Sequence, residues 1–448
     1  MKDIMAKLSA ESYKGTRDFY PEDIRVRNYI FGIWRKVMQR HGYDQYDAPL
    51  LEPLEVYAAK SGQELVNEQT YQFVDRGDRN VAIRPEMTPS VSRMIAKKRQ
   101  EIAYPARWFS IAQYMRYERP QRGREREFWQ LNADIFGVDD VRADAEIIIL
   151  GYEILKEFGA RDDMYKIRIN DRDLIHETMT SYLGLDPVQS EMMVKLFDRK
   201  GKISHEDFRD QAIEIFGLEK AALGLQKIAA LLGAGSLQDL PQELRSSPTV
   251  VKLQQLFQIL TQNGVKNAVF DVGIMRGLDY YTGTVFEFFD THPDNNRALF
   301  GGGRYDGLVG LFGAEPMSAV GFAPGLTMTE LFLDVHDLLP KLSSTTDVYL
   351  AVLEGAEAGA NELASRLRSE GVRVELDITG RKADKQLKTA LKKQIPFIAF
   401  VGENEVASQQ YTVKDLAKGS EETVSFERMV AVVSDRRRHA GDDDDFVV

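Results

Sequence analysis

The sequence contains no cysteine and only six histidines, His41, His176, His205, His292, His336 and His439, in 448 residues. Without thiols there is no disulfide scaffold, no Cys-ligated zinc, no iron–sulfur cluster and no Cys nucleophile. No two histidines lie within a few positions of each other, which removes helical His-pair metal motifs. Six scattered histidines also assemble no nucleophile–base triad. Long apolar runs are missing too: residues 147–150 and 228–232 are far too short to span a bilayer. The first 14 residues carry charges throughout and lack the apolar stretch of a signal peptide. We expect a cytoplasmic protein, with which the lack of cysteine is compatible.

Positive charge is the minority: 58 Lys plus Arg stand against 69 Asp plus Glu, a formal balance of −11. That argues against gripping nucleic acid with the whole surface, though not with local patches. Apolar content of 43% and charged content of 28% describe an ordinary globular protein. At roughly 150 residues per domain, the length suggests about three domains.

The first 150 residues mix helix and strand patterns. Apolar positions at helical spacing run from Pro21 to His41, before the stop Gly42. Residues 44–51 read as short and extended. Residues 71–75 and 81–84 read as a hairpin, and 107–117 and 128–136 as a second strand pair with an arginine-packed loop between them. Strand runs joined by hairpins and flanked by helices suggest an α+β fold with an antiparallel sheet. From 171 to 263 the pattern is mostly helical, without a motif that carries chemistry. Strand-like segments return at 268–272, 284–289 and 319–322. After a Ser/Thr boundary near 342–346, strand–helix–strand alternation suggests a small α/β domain with parallel strands. Asp442 to Asp445 form an acidic run, read as a solvated tail.

Four segments could hold a site. Arg116-Tyr117-Glu118-Arg119-Pro120-Gln121-Arg122-Gly123-Arg124-Glu125-Arg126 carries five arginines and two glutamates, a local +3. Such cations repel one another unless anions or carboxylates are near, and the guanidinium fork suits phosphate. A solvated hairpin is the plain alternative, but Arg116 follows an apolar strand pattern where a bare arginine is costly. Arg84-Pro85-Glu86-Met87-Thr88 offers a carboxylate and a hydroxyl, or simply a helix cap from Thr88. Arg276-Gly277-Leu278-Asp279-Tyr280-Tyr281 offers a cation, an anion and two phenols, or a structural bridge beside core tyrosines. Gly301-Gly302-Gly303-Arg304-Tyr305-Asp306-Gly307 implies close approach to the backbone, or a tight turn. It lacks the ending of a P-loop. Arginines, carboxylates and glycines suit charge stabilisation on phosphate more than proton transfer.

These blocks, with Gly15-Thr16-Arg17-Asp18, resemble the histidyl-tRNA synthetase family in order and spacing, from about residue 14 to 433. The Arg-Tyr-Glu-Arg-Pro-Gln loop resembles the second motif of class II synthetases, and the Arg-Gly-Leu-Asp-Tyr-Tyr block is more specific to this family. The resemblance implies a six-stranded antiparallel sheet flanked by helices, dimerisation around Pro49, and an ATP-dependent ligase that makes histidyl-adenylate and then charges the histidine tRNA. It implies a catalytic core at 1–170 and 264–342, a helical insertion at 171–263, an α/β anticodon-binding domain at 347–435 and a tail at 436–448. Arg116 and Arg276 would hold the α-phosphate as catalytic residues. Glu118, Arg124 and Phe128 would join them on ATP. Glu86, Thr88, Gln130, Asp134, Tyr280, Tyr281 and Tyr305 would bind histidine, and two phenols suit the donor and acceptor of a neutral imidazole. Arg119 and Gln121 would touch the tRNA acceptor end. Mg2+ is expected with ATP, its ligands unknown.

Two positions depart from the family pattern. Asp134 stands where a glutamate is usual. Thr327 and Met328 stand where the third motif ordinarily carries Glu-Arg, and methionine can pack on adenine but cannot pair with phosphate. The rival reading is a histidine-sensing regulatory paralog, the regulatory subunit of ATP phosphoribosyltransferase, which makes no adenylate. The intact arginine loop, Arg276 and the C-terminal domain oppose it. Residues 361–400 carry nine Lys/Arg and five Asp/Glu, a local +4 of the sign tRNA requires.

Overall fold

The chain folds as two units, Met1–Leu339 and Pro340–Val448. The computed structural model describes residues 9–58, 68–200, 203–274 and 280–440, and side chains through 434. In the first unit the strands are β1 Asp44–Gln45, β2 Leu51–Pro53, β3 Gln72–Val74, β4 Asn80–Ile83, β5 Ala106–Met115, β6 Glu127–Phe136, β7 Tyr165–Asp171, β8 Ala268–Phe270, β9 Thr284–Asp290, β10 Ala298–Arg304 and β11 Ala319–Phe322. The main sheet has the order β1-β5-β6-β11-β10-β9-β7-β8. Its six central strands are antiparallel. The short strands β1 and β8 extend its two edges in parallel. The expected six-stranded sheet is therefore the centre of an eight-stranded one. Strands β2, β4 and β3 form a small antiparallel sheet of their own.

Side-chain alternation gives the main sheet two different faces. On β6, Leu131, Ala133 and Ile135 enter the principal apolar cluster, while Gln130, Asn132 and Asp134 line a cavity on the opposite face. Helices Pro21–Arg40, Val141–Glu157, Pro248–Gln262 and Leu326–Val335 cover the apolar side. They bury Trp34, Ile148, Leu253 and Phe332 completely. Between Arg172 and Gln262 the described residues are mostly helical. Asp186 and Gln189 form a capping box there, and Ser204 and Ser247 cap the helices that follow them.

The three glycines at 301–303 do not make a turn: they lie inside β10. The reason is crowding between strands. A Cβ on Gly302 would stand 2.2 Å from the carbonyl oxygen of Gly321 on β11, and one on Gly303 would meet the Tyr281 ring at 2.9 Å. Gly302→Ala is expected to lower the melting temperature of the first unit markedly, because the neighbouring backbone cannot yield and overpacking costs about 1–3 kcal/mol. Calorimetry showing an unchanged transition would contradict this.

The second unit contains β12 Val348–Val352, β13 Val374–Leu376, β14 Phe397–Val401, β15 Tyr411–Asp415 and β16 Glu421–Val424, in the order β13-β12-β14-β15-β16. The first three are parallel, as the alternation suggested. An antiparallel hairpin, β15 and β16, completes the sheet, and the sequence reading missed it. The acidic run at 442–445 lies outside the described residues.

Candidate functional site

The polar face of the main sheet holds a cavity of about 280 Å³, at the small end of ligand pockets, which span roughly 300–1,000 Å³. Glu86, Thr88, Arg116, Gln130, Asp134, Tyr280, Tyr281 and Tyr305 all line it. These residues come from β6, from the positions just past β5 and β10, from the segment before β9 and from the approach to and start of helix Thr88–Lys98, so distant segments converge. The sequence reading missed Asn132 and Glu287, which also line the cavity. Both could have been found by period-two counting: Asn132 lies midway between Gln130 and Asp134, and Glu287 is a carboxylate set between the aromatics Phe286 and Phe288 of β9.

Two phenol–carboxylate pairs dominate the electrostatics. Tyr280 Oη donates to Glu86 Oε2 at 2.8 Å, and Tyr305 Oη donates to Asp134 Oδ1 at 2.5 Å. All four residues are at most 3% exposed. Burial, then the nearby carboxylate, pushes both phenols far above the usual tyrosine range. Tyr281 is raised by burial and by Glu86. Burial lifts the Asp134 carboxyl to about 7, against the opposing hydrogen bond from Tyr305. Its second oxygen, Oδ2, is buried without a hydrogen-bond partner, and a buried unpaired acceptor is costly unless a ligand supplies a donor.

Tyr280 and Tyr305 each spend the single O–H on a carboxylate, so toward the cavity they can offer only lone pairs. Carboxylates, phenol oxygens and the Gln130 side chain, whose Nε2 donates to the Ala323 carbonyl at 3.1 Å, make a pocket rich in acceptors. It suits a small molecule with an ammonium and a ring N–H.

Arg116 stands at the cavity's edge, just past the end of β5. Its Nε donates to the Pro85 carbonyl at 2.8 Å, and its guanidinium lies 5.2 Å from the Phe128 ring centre. Charge repulsion within the arginine loop is relieved locally. Arg124 pairs with Glu118 at 3.2 Å, and Arg126 stacks over Tyr117 at 4.0 Å. Glu118, Arg124 and Phe128 are not among the cavity's lining residues, and Arg119 and Gln121 are exposed on the loop. Arg276, Gly277, Leu278 and Asp279 lie outside the described residues.

Several residues of the quoted motifs serve architecture. Thr88 does not cap its helix: it is the first helical residue, after a Met87 in helical conformation, and its side chain faces the cavity. Arg304 is buried in a bidentate pair with Asp144, at 3.1 and 2.6 Å, and donates to the carbonyls of Val138 and Asp140. Thr327 donates to Glu125 Oε2 at 2.9 Å, and Arg17 grips both oxygens of Glu330 at 2.8 Å.

Comparison with known proteins gives the same outline. Residues 15–328 match a family model described as histidyl-tRNA synthetase, and residues 347–436 match an anticodon binding domain. A protein named histidine–tRNA ligase from Leptospira biflexa is 42% identical over 424 residues, covering 94% of this chain and 96% of that protein. One of the same name from Opitutus terrae is 37% identical, covering 95% and 98%. The crystal structure of histidyl-tRNA synthetase from Nostoc sp. PCC 7120 superposes with a TM-score of 0.82 at 24% identity, covering 96% and 100%.

Proposed function

The chain belongs to the histidyl-tRNA synthetase family, and from that premise we propose how its residues carry out the ATP-dependent attachment of histidine to tRNA. The observation that carries the proposal is the unpartnered Oδ2 of Asp134, a residue that lines the cavity together with Glu86 and three tyrosines. Histidine brings what is missing: an ammonium for Glu86, Gln130 and Asp134, and an imidazole N–H for the phenol oxygens. Thr88, Tyr280, Tyr281 and Tyr305 enclose it.

In the first step a histidine carboxylate oxygen attacks the α-phosphorus of ATP. The bond to the β-phosphate oxygen breaks, giving histidyl-adenylate and pyrophosphate. Negative charge builds on the α-phosphoryl oxygens, and Arg116, with Arg276, stabilises it. Arg124 holds the γ-phosphate, with Glu118 orienting it, and Phe128 stacks on adenine. In the second step the terminal ribose hydroxyl of the tRNA attacks the histidyl carbonyl and AMP leaves. Arg119 and Gln121 meet the acceptor end.

The described residues gather no group of three or more His, Asp and Glu positioned for a metal. Mg2+ is therefore expected to arrive with ATP, held chiefly by phosphate oxygens and water. The core is assigned to 1–170 and 264–342, the helical insertion to 171–263 and the anticodon domain to 347–435. In that last domain the local +4 of residues 361–400 supports contact with the anticodon loop, and a cavity of about 750 Å³ at the ends of β12 and β13 is lined by Arg381 and Lys382 together with Glu354, Glu357 and Asp377. The protein would work in the cytoplasm as a homodimer. Support for dimerisation comes from Leu50, Leu51, Phe73 and Val74, apolar residues 47–60% exposed on or beside the small sheet near Pro49. Among the described residues no helix is long and apolar enough to cross a membrane.

The decisive measurement is histidine-dependent exchange of labelled pyrophosphate into ATP. Robust exchange is expected with histidine and none without it. Histidine binding with no exchange would instead favour the regulatory reading, which the names of the curated relatives do not support.

A further inference from the structure

The arginine loop carries the cations assigned above to ATP, so the placing of its tip decides where they reach. Its tip is fastened at two points by a segment that no motif covers. Arg297, just before β10, donates from Nη1 to the Arg122 carbonyl at 2.6 Å. In return, Arg122 Nη1 donates to the Asp294 carbonyl at 3.3 Å. The next residue, Gly123, has a φ of +80° and sits tightly against the start of the helix Leu326–Val335. A Cβ there would come 2.6 Å from Met328 Sδ, 3.1 Å from Arg297 Nη1 and 3.4 Å from Leu331. The tip thus rests on an apolar seat with a guanidinium clamped to its backbone.

We propose that Arg297 is a positioning residue for the ATP step: it locks the tip of the arginine loop on the Met328–Leu331 seat and so sets Arg116 and Arg124 for the phosphates. This rests on the function proposed above. It also gives Met328 a purpose. A methionine accepts the close glycine backbone as apolar contact, and the cation at this place comes from another strand's approach, bound to the loop rather than to the nucleotide. Histidine binding, on the other side of Arg116, does not depend on the loop tip.

Arg297→Ala is expected to raise the KM for ATP about tenfold in pyrophosphate exchange, the scale of one lost charge-assisted hydrogen bond, with the histidine KM within about twofold. Arg297→Lys, which keeps a charged donor, should recover most of the loss. Limited trypsin digestion of the free protein should cut the loop after Arg122 or Arg124 about tenfold faster in Arg297→Ala. An unchanged ATP KM, a joint rise of both KM values, no recovery by lysine, or unchanged loop cleavage would each overturn the proposal. Cleavage needs no activity, so a wild type without exchange would sink the functional reading while the digestion still decides the clamp.

Discussion

Replacing Arg116 by alanine is expected to lower histidine-dependent ATP–pyrophosphate exchange by about a thousandfold, the upper range for removing one preorganised donor from a developing oxyanion. The guanidinium is preorganised because the Pro85 carbonyl fixes its Nε and the Phe128 ring lies against it. Its remaining N–H groups are free to face the α-phosphoryl oxygens. Most of the loss should fall on the chemical step, with the histidine KM little changed, since carboxylates and phenols surround the amino acid. Arg116→Lys should restore little, because an ammonium cannot both keep the Pro85 bond and donate a fork to phosphate. Single-turnover adenylate formation measures this directly, and a loss below tenfold would remove Arg116 from the catalytic role.

Asp134→Asn should weaken histidine binding by about a hundredfold while making the protein more heat-stable above neutral pH. Burial holds the folded-state pKa near 7, whereas an unfolded aspartate titrates near 3.9. The protonated form is therefore favoured in the folded protein. Asp134's contribution to stability is complete below about pH 4 and is lost as pH rises through 7. Above that, the folded chain carries a buried carboxylate at a cost of at most about 4 kcal/mol. The amide keeps an acceptor for Tyr305 and removes this charge. The variant should melt several degrees above wild type at pH 8, and the two should converge near pH 4. In wild type, histidine affinity should fall as pH drops below 7, because the ammonium needs the carboxylate form. The asparagine variant should lose that slope beyond the titration of histidine itself. Equal melting curves at pH 8, or an unchanged histidine KM, would refute this account of the site.

Long alternating strands were the most legible part of the fold. β5 and β6 run ten residues each, long enough for the period of two to emerge, and β6 alone gives both the core face and the polar face. Short strands such as β8 and β11 were legible where apolar residues run together, but the glycine-rich β10 was not. β10 contains three glycines because its neighbours press on it, and that pressure comes from β11 and Tyr281, which no local pattern reveals. The β15–β16 hairpin is short and its outer strand is largely exposed, so its apolar alternation, Tyr411 and Val413 on β15, is too brief to stand out. At the site, single residues misled where contact partners decide. Thr88 has the chemistry of a cap, but the residue before it, Met87, already has helical dihedral angles. Arg304 sits in a glycine-rich motif, but its partner Asp144 comes from a distant helix. Asn132 and Glu287 lie outside every motif, and only the alternation of their strands places them on the cavity face.

The order of strands in the main sheet also sets a schedule for synthesis. β6 carries the acceptor-rich face of the cavity, and one of its edges pairs with β11, where Asp134 faces Gly321 about 190 residues later in the chain. At roughly 5–20 residues per second of translation, that edge waits on the order of 10–40 s for its partner to leave the ribosome. Until then β5 and β6 form a hairpin with one open, largely apolar side, the kind of edge that invites pairing with other chains. No stretch of the nascent protein shorter than about 322 residues can close the pocket, so a chain stalled earlier would expose sheet without gaining a site, and would be a natural client for chaperones.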